Sequence, residues 1–85
     1  MGIITEAMDL VNGERKQDYG NIEESFKRIA RLWSAYLGAN VDELDVGKMM
    51  ILLKVSRAKI NNHRDSYIDI VGYVACIDAL LQSDK

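Results

Sequence analysis

Proline is missing altogether and helix-forming residues dominate, so the chain is expected to be all-α. A single cysteine, Cys76, excludes an internal disulfide and fits a reducing, intracellular setting. There is one histidine, His63, and no Cys/His set with metal-ligand spacing. Glycine-rich phosphate loops and nucleophile elbows are also absent, and Cys76 and His63 have no catalytic spacing. No apolar run approaches the roughly 20 residues of a membrane span. Glu6 and Asp9 interrupt the stretch a signal peptide would need. Met1-Gly2 opens as a myristoylation site does, but Glu6 stands where serine or threonine is required. Together these absences predict a cytoplasmic protein with no membrane partner. A net charge of −2 argues against nucleic acid as the main partner, because phosphate contacts require a basic surface.

What is present is 48% apolar and 28% charged, a globular composition. Residues 1–85 make one domain. A chain this small buries only about 60–65% of its unfolded surface, so its core is marginal alone. Partner subunits would extend that core, and a homo-oligomer is expected.

Apolar spacing predicts a short N-terminal helix over 3–12, on Ile3, Ile4, Ala7, Met8 and Val11, with Gly13 as its stop. Residues 14–20 are polar and read as a loop; Tyr19 there packs over a helix end or stacks on a base or sugar. Asn21, with Glu24 three positions on, predicts a capped helix from Ile22 to about Leu37. Its inner face would carry Ile22, Phe26, Ile29, Trp33 and Tyr36 or Leu37, and Gly38 would end it. Lys27, Arg28 and Arg31 form a solvated outer face. Asp42 and Asp45 predict the start of a third helix running to about Ile60, whose MMILL stretch is apolar nearly all round. That implies contacts on more than one side. Asn61–Arg64 is the next turn, with Asp65 as N-cap of a last helix carrying Ile70, Tyr73, Val74, Ile77 and Leu81 on one face. Cys76 reads as a small buried hydrophobe, and Gly72 suits a close helix approach. The architecture is a short N-terminal helix plus three longer ones in an antiparallel bundle.

The apolar stripe Val46, Met49, Met50, Leu53 continues into Lys54 and Arg57. Asp65, Asp69 and Tyr73 follow at helical spacing on the last helix. Folding the two helices back about residues 61–64 brings Asp69 level with Lys54 and Arg57. A structural reading makes this polar cluster of Lys54, Arg57, Asp65 and Asp69 a set of ion pairs that orients the hairpin. A functional reading makes it a pocket, with Lys54, Arg57 and Arg64 for a phosphate and Asp65 and Asp69 for a metal. Glu23 and Glu24 suit the dipole of their helix and could also hold Mg²⁺.

The ordered set Tyr19-Gly20, Glu24-Ser25-Phe26, Ile29–Trp33, Asp45-Val46, Met49-Met50, Leu53-Lys54, Arg57, Asp65–Tyr67, Asp69-Ile70 and Gly72-Tyr73 resembles the DUF6378 family of small phage and prophage proteins. The resemblance spans residues 19–75. It implies a phage or prophage origin, in a host cell, and no established activity. A weaker resemblance is to the all-α, MazG-like nucleoside triphosphate pyrophosphatases, which use Mg²⁺ held by an EExxE helix and an ExxD helix. Asp69 takes the aspartate of ExxD, with Ser66 where the glutamate belongs and Asp65 adjacent. Glu23-Glu24 offers the first letters of EExxE, with Lys27 in the third place.

The leading expectation is a phage accessory protein acting by self-association or by binding a host or phage protein, without a cofactor. The alternative is a MazG-like pyrophosphohydrolase or nucleotide-binding relative. There Glu23, Glu24, Asp65 and Asp69 would face Mg²⁺, and Lys54 and Arg57 would hold phosphate. A helix-turn-helix DNA-binding module is third, disfavoured by the net charge. No reaction follows from the sequence.

Overall fold

A computed structural model describes residues 2–12 and 21–83. Among them run four helices and no strand: α1 (Ile3–Asn12), α2 (Ile22–Leu37), α3 (Glu43–Ile60) and α4 (Arg64–Ser83). The expected stop at Gly13 and the roles of Tyr19 lie outside the described residues.

Side chains close the starts of α2 and α3. Asn21 is extended, and its Oδ1 accepts from the N–H groups of Glu23 (2.8 Å) and Glu24 (3.3 Å), satisfying donors that the first turn leaves without partners. Gly38 ends α2 in the left-handed conformation, φ 67°, where a Cβ would be strained, and donates its N–H to Ser34 O at 2.9 Å. The Ser34 hydroxyl then pins the connection. It accepts from Val41 N–H at 2.9 Å and donates to Val41 O at 3.1 Å. Asp42 and Asp45 form a reciprocal capping box: each carboxylate accepts from the other's backbone N–H, at 2.8 and 3.2 Å.

The last turn is shorter than the spacing predicts. His63 O accepts from Ser66 N–H at 3.0 Å, so α4 begins at Arg64. Asp65 therefore sits inside the first turn of α4 and is not its N-cap, although a carboxylate there still suits the helix dipole. Tyr67 steadies this turn by donating its hydroxyl to Asn62 Oδ1 at 2.8 Å.

Consecutive long helices pack antiparallel. Gly47 of α3 lies against Ile77 of α4, and further along α3, Lys54 meets Asp69, further back along α4. Likewise Phe26 reaches Gly47 while Ser34 reaches Val41, which reverses α3 against α2. Gly47 is what lets α3 and α4 approach. A Cβ built there would stand 2.6 Å from Ile77 Cγ1 and 3.0 Å from Ile77 Cδ1. α1 packs on α4.

The core is thin and built largely of small residues. Phe26, Ala30, Val46, Cys76 and Leu80 form its centre, ringed by half-buried Ile22, Ile29, Trp33, Val41, Leu44, Met50 and Tyr73. Ala7, Ala58 and Ile68 are buried as well, and Val46 is the one large side chain among the described residues that is wholly enclosed. Several expected inner residues lie outside instead. Tyr36 and Leu37 are exposed because α2 turns its Phe26–Ala30 side to α3. Ile4 and Met8 are exposed because α1 meets α4 through Ala7. Val74 and Leu81 are exposed because α4 buries the row Ile68, Gly72, Cys76, Leu80, whose small members permit close contact. Met49 and Leu53 are exposed because α3 buries Val46, Gly47 and Ala58. Ordinarily large apolar residues fill the interior; here many of them face outward.

Candidate functional site

α3 has two apolar sides, as its composition predicts. One holds Val46, Gly47, Met50, Lys54 and Ala58 and faces α2 and α4. The other carries Met49, Leu52, Leu53 and Ile60, spaced three to four residues apart or a multiple of it, with Ser56 completing the row. All four are exposed, Leu52 at 65% and Ile60 at 89%. A row of this kind costs solubility unless something covers it.

The polar end of the inner side holds one ion pair. Lys54 Nζ lies 2.8 Å from Asp69 Oδ2, with only 14% and 19% of the two side chains exposed. An ammonium and a carboxylate this enclosed neutralise each other, which is what makes their burial tolerable.

The other residues of the expected cluster go elsewhere. Arg57 is exposed, and among the described residues no carboxylate lies within ion-pair distance of it. The reason is angular: three residues beyond Lys54 is short of a full turn, so Ala58 takes the inner position and Arg57 swings to the edge. Arg64 turns away from Lys54 and pairs with Glu6 of α1. Asp65 is exposed, 3.9 Å from His63 Nε2, which is also exposed. Glu23 pairs with Lys27 one turn on, at 2.9 Å, and Glu24 faces solvent. Glu23 and Glu24 of α2 thus do not gather with Asp65 and Asp69 of α4. Among the described residues no three His, Cys, Asp or Glu side chains come together as metal ligands would. Lys54, Arg57 and Arg64 likewise do not converge on a common phosphate position, since two of them are turned onto Asp69 and Glu6.

The Glu6–Arg64 pair has no signal in the sequence, because its members lie far apart along the chain and only the packing of α1 on α4 unites them. The Arg64 hydrogen bond holds the Glu6 carboxyl below its ordinary value of 4.5. A depressed carboxylate stabilises the docked form above its unfolded pKa and stops doing so as pH falls through the folded one. The protection of the α1 amides, measured against their intrinsic exchange rate, should therefore fall as pH drops below about 4.5, and Arg64→Ala should remove that step. An unchanged profile in the variant would show that the pair does not hold α1. Cys76 is buried, and burial pushes its thiol up, away from thiolate reactivity.

No described helix is long and apolar enough to cross a membrane. Residues 2–81 match the family described as "Domain of unknown function (DUF6378)". Two phage proteins are similar over 94% of the chain. The "Gene 55 protein" of Mycobacterium phage D29 is 42% identical over 81 residues, which make up 54% of its length. The "Gene 55 protein" of Mycobacterium phage L5 is 44% identical over 82 residues, 53% of its length. The chain thus spans about half the length of the curated relatives it matches. Nothing in these matches speaks for the MazG-like superfamily, and no solved structure matches. With a family match over nearly its whole length and two phage relatives above 40% identity, the chain belongs to the DUF6378 family of phage proteins.

Proposed function

We propose that this protein is a phage accessory protein that works by association with protein, through the outward row Met49, Leu52, Leu53 and Ile60 of α3. The carrying observation is the inversion of side-chain size. Small residues such as Ala30, Ala58 and Cys76 are buried while the larger Leu52, Leu53 and Ile60 stand in solvent. Burying a leucine or isoleucine contributes about 1.5–3 kcal/mol. A core this thin therefore leaves a large share of the available hydrophobic stabilisation unused until a partner arrives. The enclosed charges support the same reading, since Lys54 is held by Asp69 inside the hairpin and acts as a strut.

The test compares the wild-type chain with Leu52→Asp/Leu53→Asp, two exposed positions whose substitution leaves the inner side of α3 intact. Sedimentation gives the mass of each. Immobilised chain exposed to lysate of a phage-infected host, with retained proteins identified by mass spectrometry, gives the alternative partners. Wild type should either exceed monomer mass or retain an identified protein that the double variant releases. A wild-type monomer that behaves like the variant in both assays would end the proposal.

A further inference from the structure

The occupant of this face is identified by the charges at its two ends. α3 starts acidic, with Asp42, Glu43 and Asp45, and ends basic, with Arg57 and Lys59. A parallel pairing of two such helices would set acid on acid and base on base. An antiparallel pairing sets the acidic start of each against the basic end of the other, and it also opposes the helix dipoles favourably. Crossing near Leu52, the middle of the outward row, brings Leu52 against its own copy and Met49 beside Leu53 and Ser56. Asp45 then lies opposite Lys59, and Lys48 falls against Ser56.

We infer that α3 packs antiparallel on α3 of a second copy of this chain, about a two-fold axis near Leu52. The inference rests on the association reading above and names its partner. A two-fold contact is self-complementary, so one patch serves both copies. The charged ends set orientation and the apolar row supplies the attraction.

Two measurements test it. Single variants Leu52→Cys and Ile60→Cys, both at exposed positions, are treated with a short bis-maleimide; wild type, whose Cys76 is buried, is the blank. Leu52→Cys should crosslink to itself and Ile60→Cys should not, because only a residue near the axis meets its own copy. Crosslinking of both would mean a parallel pairing and would overturn the orientation. In sedimentation, Arg57→Glu/Lys59→Glu should weaken the dimer by about tenfold or more at low salt, since acidic ends would then face acidic starts. Mixing it with Glu43→Lys/Asp45→Asn, whose asparagine keeps a capping acceptor, should restore association. An unchanged dimer in the charge variant would count against the charge pairing. A wild-type monomer at millimolar concentration that still holds an identified host or phage protein through Leu52 and Leu53 would refute the self-pairing while leaving the association reading intact.

Discussion

Asp69→Ala should lower stability by about 2–4 kcal/mol, somewhat under the roughly 3–5 kcal/mol of a wholly buried pair, because 14% and 19% of the two side chains still touch water. The loss comes less from the attraction that disappears than from what remains. Lys54 would be left as a half-enclosed ammonium with no counter-charge, and removing one partner of an enclosed polar pair exposes the full desolvation cost of the other. For a domain of this size that corresponds to a fall in Tm of about 10–30 °C. Lys54→Met should be similarly harmful by leaving the carboxylate. The double variant Lys54→Met/Asp69→Leu should return to within about 1 kcal/mol of wild type, as apolar replacements of buried pairs often do. Thermal or urea unfolding of the four proteins gives the coupling energy directly. Additive losses in the double variant would show that the two residues act independently, and the strut account would go.

Gly47→Ala is the second large effect, and its sign runs against helix propensity. Alanine is the better helix former by about 1 kcal/mol. In α3, however, the new methyl would sit 2.6 Å from Ile77 Cγ1, a branch near the backbone of a side chain whose rotamer a helix restricts. Either Ile77 leaves its rotamer or α3 and α4 move apart. Overpacking of this kind costs about 1–3 kcal/mol, so after the propensity gain a net loss of up to about 2 kcal/mol and a Tm lowered by up to about 15 °C are expected. In an Ile77→Ala background the clash is gone. There the same substitution should be neutral or raise stability by up to about 1 kcal/mol. If Gly47→Ala stabilises the otherwise unchanged chain, the close approach of α3 and α4 is not as described.

These two sites divide the legible from the illegible. Helix count, order and ends could be read from short-range chemistry. Asn21, Gly38 and the Asp42–Asp45 pair act on backbone groups within a turn of themselves, so their meaning is written locally. The hairpin of α3 and α4, and the opposition of Lys54 and Asp69, follow from a short turn and helical spacing. Arg57 is the instructive failure: a stripe read by residue size placed it inward, but the true inner row passes through Gly47 and Ala58, residues too small to register as a stripe.

By itself, then, the amino-acid sequence determined an all-α chain, most of its described helix boundaries with the start of α4 misplaced by two residues, a doubly apolar α3, and membership of a phage protein family. Tertiary structure alone decided which apolar side of α3 is covered, that Arg64 joins Glu6, and that Gly47 admits Ile77. The physical reason is range. Capping and periodicity act within a turn or two of the chain, whereas burial depends on which surfaces meet, and in a small chain with few large side chains inside, that choice falls to the positions where two backbones can come closest.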